Sequence, residues 1–236
     1  DIITCGAKPL YFLDYISTGK ISPIIDQIME GIIKGCDITE MDLLGGETAE
    51  HPRPAPPPAH DDDIDLAGFC TGIVEESQII DGRLIKPGDK VIGIESSGLH
   101  SNGYSLINDM LWRHKIAWAD TPELLTPTTI YAPLVKHLLN EVPILGMAHI
   151  TGGGIPENLP RCLPKGITAE VNYNSWNMPE IFSKIMLAGE IPEEEMKSVF
   201  NLGIGYCVVV PDESVIDTQL IIEGHGLQSW VIAETK

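Results

Sequence analysis

Apolar and polar positions divide the chain into segments of two periods. "YFLDYI" (11–16) reads as a strand, whereas "SPIIDQIMEGIIKGC" (22–36) places Ile24, Ile25, Ile28, Ile32 and Ile33 on one helical face behind Ser22 and Pro23. "MDLLGGETAE" (41–50) predicts a short strand running into a glycine pair, and "LAGFCTGIVE" (66–75) a further strand. Between them, "HPRPAPPPAHDDDID" (51–65) holds five prolines and four aspartates, a composition that predicts a mobile surface loop. Turns at Asp81-Gly82 and Pro87-Gly88 set off a second region. There the pattern predicts strands at 91–95, 144–150, 205–211 and 229–234, and helices near 102–113, 156–162, 179–188, 192–199 and 212–222. Strands alternating with helices imply an α/β or α+β protein, a layered sheet with helices packed on it. A domain boundary is expected near residue 78, giving domains 1–78 and 79–236.

The 236 residues carry 15 Lys and Arg against 34 Asp and Glu, a formal charge of −19. Such a surface repels phosphate backbones and anionic membranes, so neither nucleic acid nor a membrane is an expected partner. A small phosphorylated ligand stays open, because backbone amides and a divalent cation neutralise it locally. Five dispersed cysteines without a CxxC pair suit a reducing, cytoplasmic setting. The chain begins at Asp1 rather than Met and is read as a fragment or processed chain.

Two stretches share one design, an apolar strand, a loop of small residues and then a helix: "VIGIESSGLHSNGYSLINDML" and "ILGMAHITGGGIPENLP". Exposed amides at a helix start, freed by glycine and serine, suit an anion such as phosphate. A histidine accompanies each loop, and imidazole titrates near neutrality, so His100 and His149 are candidate proton carriers. His51, His60, His114, His137 and His225 are read as capping or core-packing residues. Asp1, Glu47 and Asp65 sit at strand or loop ends, where carboxylates can hold Mg2+ against ATP phosphates; Asp61, Asp62 and Asp63 are read as a solvated charge run. No Walker A, HRD or GxSxG pattern is present.

"GAKPLYFLDYISTGKI" (6–21), "GGETAE" (45–50), "DLAGFCTGIVE" (65–75), "SSGLHSNGYSL" (96–106), "HITGGGIPENLPR" (149–161) and "FNLGIG" (200–205) together resemble the phosphoribosylformylglycinamidine cyclo-ligase, or AIR synthase, family of an ATP-binding superfamily. The resemblance implies a partial ferredoxin-like N-terminal domain that dimerises through its sheet, followed by a C-terminal layered α/β domain. It implies a purine-biosynthetic ligase that closes the imidazole ring of aminoimidazole ribonucleotide with ATP and Mg2+, as a cytoplasmic homodimer.

Carried onto this sequence, the family pattern implies catalytic roles for His100, His149 and Asn102. Substrate would meet Ser97, Gly98, Ser101, Thr151, Gly152, Gly153, Gly154, Asn158, Asn201 and Gly203, and nucleotide Gly45, Gly46, Glu47, Thr48 and Asp65; Asp1, Glu47 and Asp65 would be metal ligands. Two departures stand out. A further N-terminal glycine-rich segment that helps cover ATP is expected of the family, so activity of this chain alone is not implied. The family also has a shorter stretch beginning Met-Pro-Gly where this chain has its proline- and aspartate-rich loop. The related formylglycinamidine ribonucleotide synthetase, selenophosphate synthetase and thiamine-monophosphate kinase families are rival readings, as is a non-catalytic, partner-binding module of the same fold.

Overall fold

The computed structural model describes residues 1–51 and 64–236. Most of the proline- and aspartate-rich loop, with His60, Asp61, Asp62 and Asp63, lies outside the described residues. The chain forms two compact units, one of Ile2 and Gly6–Gln78, the other of Asp1, Ile3–Cys5 and Ile79–Lys236.

In the smaller unit, β1 (Lys8–Thr18), α1 (Ile24–Thr39) and β2 (Asp42–Glu50) make a parallel βαβ unit, and β3 (Ile64–Ile73) pairs antiparallel with the other edge of β1. Helix α1 begins two residues later than expected and runs three residues past Cys36. Glu40 then stops it, in a left-handed conformation whose N–H reaches the carbonyls of Cys36 and Asp37. Asp14, Ile16 and Thr18 alternate along β1 and are buried on one face of the sheet. The glycine pair is inside a strand rather than at its end. Register slips at Phe12/Leu13, and Gly45 takes up the irregularity at a φ of 151°. A Cβ on Gly46 would lie 2.2 Å from Asp14 Oδ1, so this glycine makes room for a carboxylate of the neighbouring strand.

The larger unit contains a four-stranded antiparallel sheet, order β5-β6-β4-β7, of β4 (Lys90–Glu95), β5 (Gly146–His149), β6 (Ile204–Val210) and β7 (Ser229–Glu234). Strand β6 is apolar at nearly every position and buried throughout, as expected of a strand covered on both faces. Val91, Cys207 and Val209 belong to a core with Ile155, Leu159 and Trp176. Ile92, Ile94 and Val208 have the opposite parity and are fully buried on the other face; α7 (Val215–Gly224) packs on β4 and β7 and against α3 (Ala132–Glu141). Burying each such side chain contributes about 1.5–3 kcal/mol. A second core joins α2 (Tyr104–Trp112), α5 (Glu180–Gly189) and α6 (Glu193–Val199) through Ile107, Phe182, Met196 and Phe200.

Helix α3 had no counterpart in the sequence reading, although Pro133 near its start and apolar Leu134, Val135 and Leu138 mark it. The helix expected at 156–162 is instead a single α-turn, α4 (Gly154–Asn158), followed by a 3-10 turn at Leu159–Cys162, with Pro160 at the junction.

Candidate active site

Strand β6 lies between β4 and β5 and runs antiparallel to both, so both neighbours end beside the point where β6 begins. Three segments meet there: 96–103 after β4, 150–154 after β5, and 201–203 before β6.

Asn201, buried, ties two of them together. Its Nδ2 donates to the Gly98 carbonyl at 2.8 Å, while its Oδ1 accepts from Ser96 Oγ at 3.0 Å and Gly203 N–H at 2.8 Å. Ser96 N–H also donates to the Gly203 carbonyl. His100 turns the loop in a left-handed conformation (φ 58°), and its Nε2 accepts the N–H groups of Ser97 and Thr129. Those two bonds require the proton on Nδ1, which is buried and without a hydrogen-bond partner. Ser97 Oγ donates to the Pro127 carbonyl, and the Ser101 and Thr128 hydroxyls share a bond of 3.0 Å.

The glycine loop is organised from inside by Asn158. Its Nδ2 lies within 3.3 Å of the carbonyls of Thr151, Gly152 and Gly154, and its Oδ1 accepts from Thr151 Oγ1. Gly153 and Gly154 stand at φ values of 93° and 59°, and a Cβ on Gly154 would lie 2.0 Å from the Lys197 carbonyl oxygen. Gly152 differs: a Cβ there would meet only Asn102 Oδ1, at 3.6 Å, which places Asn102 of the first loop beside the second.

At the end of β5, His149 Nδ1 lies 2.7 Å from Asp1 Oδ1. Thr4 N–H and Oγ1 both donate to the Asp1 carbonyl and fix that residue. A carboxylate only accepts, so Nδ1 carries the proton and Nε2 presents a lone pair. The rings of His100 and His149 are 6.5 Å apart, with Tyr131 6.0 Å and 6.4 Å from them respectively. Burial, reinforced by the neighbouring His149, holds the His100 ring down to about 4, and burial likewise holds His149 to about 4. Both rings are therefore neutral at pH 7. A cavity of about 330 Å3 opens here, lined among others by Asp1, Asp81, His149, Thr151 and Arg161.

Residues 1–74 match the AIR synthase related protein, N-terminal domain, and residues 86–236 the AIR synthase related protein, C-terminal domain. A phosphoribosylformylglycinamidine cyclo-ligase of Prochlorococcus marinus (strain MIT 9313) is 49% identical over 100% of this chain and 70% of its own length. One of Synechococcus sp. (strain CC9311) is 50% identical over 98% of this chain and 69% of its own length. The chain belongs to the AIR synthase related family. A crystal structure of hydrogenase maturation protein HypE in complex with ATP shares the fold of this AIR synthase related chain. Its TM-score is 0.72 at 17% identity, covering 100% of this chain and 68% of HypE.

Within this AIR synthase related chain, the larger unit brings together His100, His149, Asn102, Ser97, Gly98, Ser101, Thr151, the three glycines, Asn158, Asn201 and Gly203, with Asp1. Several also hold the loops in shape. Asn158 and Asn201 hydrogen-bond the loops from within, and Asn158 also lines the cavity. Gly153 and Gly154 are required by backbone conformation, and Gly154 also by the close pass of the Lys197 carbonyl, whereas of the three only Gly152 has open space where a Cβ would stand. The α4 turn is too short to carry the helix dipole invoked for it.

Gly45, Gly46, Glu47, Thr48 and Asp65 belong to the smaller unit. There Glu47 pairs with Tyr15, and Asp65 with Ser17, so both carboxylates share one sheet face with β1 between them. Asp1 groups with the other unit, and among the described residues no three His, Cys, Asp or Glu side chains form a group able to hold a metal ion. Arg161, Asp81, Ser96 and Tyr131 were not singled out from sequence. Ser96 and Arg161 lie at the ends of the motifs 96–106 and 149–161, whereas nothing local marks Tyr131.

Of the histidines read as bland, His137 and His225 are exposed and bonded to each other, although His225 does cap α7 through its backbone. No helix among the described residues is long and apolar enough to cross a membrane.

Proposed function

We propose that this chain carries the ring-closing chemistry its cyclo-ligase relatives are named for, the ATP-dependent conversion of formylglycinamidine ribonucleotide to aminoimidazole ribonucleotide. ATP would phosphorylate the formyl oxygen; the amidine nitrogen would then attack that carbon, forming the C–N bond as the C–O bond breaks and phosphate leaves. Holding both groups in one cleft supplies the proximity that such a closure needs.

The observation that supports this best is the His149–Asp1 pair. With Nδ1–H directed to Asp1, the neutral ring keeps a lone pair on Nε2, which would accept the proton lost by the attacking nitrogen. His100 is not an equivalent candidate, because its Nε2 is engaged by two backbone amides. Asn102 and Gly152, where the two loops meet, offer a polar side chain and open backbone for the substrate. Arg161 supplies the positive charge suited to its phosphate.

Mg2+ would arrive with the nucleotide phosphates, since Glu47 and Asp65 stand a strand apart and, among the described residues, belong to no group of three metal-ligating side chains. A homodimer formed through the small sheet, acting in the cytoplasm, completes the proposal. On the face opposite Asp14 and Ile16, Leu13 and Phe69 are register partners, 38% and 63% exposed, an apolar pair that self-association would cover.

A ring-closure assay on the full-length form tests the activity. Product formed only with ATP and formylglycinamidine ribonucleotide supports it, and calorimetry that finds neither bound would leave a non-catalytic module.

A further inference from the structure

We propose that His137 and His225 form a binding site for a borderline divalent transition cation of the Ni2+, Cu2+ or Zn2+ class, independent of the ring-closing reading. His137 Nδ1 and His225 Nε2 lie 3.0 Å apart with ring centroids at 5.2 Å, and both residues are exposed. In such a pair one ring donates N–H and the other accepts. When a metal enters, the donor ring's proton moves to that ring's other nitrogen, so that both facing nitrogens offer lone pairs. Ligand nitrogens at about 2.1 Å from a cation, spaced as neighbours in a tetrahedral or octahedral shell, are about 3.0–3.4 Å from each other. The 3.0 Å separation of the pair falls at the short end of that range, so at most a few tenths of an ångström of opening is needed.

The backbone positions are fixed before any ion arrives. His137 sits within α3, whose Leu134, Val135 and Leu138 are buried. His225 closes α7: its N–H reaches the carbonyls of Ile221 and Ile222, and Gly226 follows at a φ of 76°. Helices α3 and α7 pack on each other, so the two ligands come from elements held together by the core. Among the described residues no third His, Cys, Asp or Glu side chain completes the group. Two imidazoles and water would form the shell, a set that prefers Cu2+ and Ni2+ over Mg2+ or Ca2+.

Titrating tag-free full-chain protein with NiCl2 by calorimetry tests the site, using wild type, His137→Gln, His225→Gln and the double variant. One Ni2+ per chain in wild type, bound at least about tenfold more weakly once either imidazole is gone, is the expected result. Wild-type protein that takes up no Ni2+, or a double variant that titrates like wild type, overturns the proposal. Should a variant fail to fold, substoichiometric Cu2+ added to wild type gives a second reading by NMR. Selective broadening of the His137 and His225 ring protons supports the site, and broadening that begins at His149 or elsewhere refutes it.

Discussion

His100 and His149 show how position assigns different work to the same side chain. Both are neutral at pH 7, but the Nε2 of His100 is spent on two amides of its own and a neighbouring loop, while His149 bonds Asp1 through Nδ1 and keeps a lone pair on Nε2. Replacing His149 with Asn in the full-length form is expected to lower kcat by about 10²–10⁴-fold with little change in substrate affinity. Stopped assays across substrate concentrations check this, and an unchanged kcat refutes the role.

His100 predicts a stability effect instead. Its folded value of about 4 lies below the ordinary imidazole range near 6.5, so the unfolded chain binds the proton more tightly. Stability is complete above about pH 6.5 and is lost as pH falls toward 4. In His100→Asn, a residue that tolerates the left-handed conformation, this part of the acid limb is expected to flatten while stability at pH 7 falls. Urea midpoints measured between pH 7 and 4 decide it.

At the scale of elements, the loops are built by packing and backbone geometry as much as by any ligand. Gly154→Ala would put a Cβ against the Lys197 carbonyl at a φ of 59°, whereas Gly152→Ala would meet open space and Asn102. The first is expected to cost at least about 2 kcal/mol and the second under about 1 kcal/mol. Asn201→Ala would strand the Gly98 carbonyl and the Gly203 N–H in the interior, costing about 1–3 kcal/mol. Chemical denaturation of the three variants checks both predictions; equal losses at Gly152 and Gly154 would contradict the account of the loop.

Much at this scale was legible in advance. The strand at 229–234 was expected with the observed limits, because a short apolar run between the polar residues Ser229 and Glu234 is a local signal. The glycine pair at Gly45-Gly46 was not legible as strand interior, since its space requirement comes from Asp14 on another strand. Helix α3 was overlooked despite its apolar spacing, and Tyr131, just before it, went with it.

For the whole molecule, the open face of the small sheet carries the prediction. If Leu13 and Phe69 are covered by a second copy, Phe69→Glu is expected to shift sedimentation toward the monomer without lowering the melting temperature of the larger unit. A dimer that persists unchanged would move the interface elsewhere. The formal charge of −19 keeps nonspecific association low, so any dimer observed reflects a specific surface.

By itself the sequence determined the kinds of element, most of their order, the acidic surface and membership of a family, because hydrophobic period, glycine and proline punctuation and motif residues are all encoded within short windows. Only the tertiary structure decided that the loops of His100 and His149 meet. That follows from β6 lying antiparallel between β4 and β5, a pairing between residues distant in the chain. It also decided which polar residues are consumed in holding the loops and which remain for chemistry, since a side chain's free valence depends on partners that no local window contains.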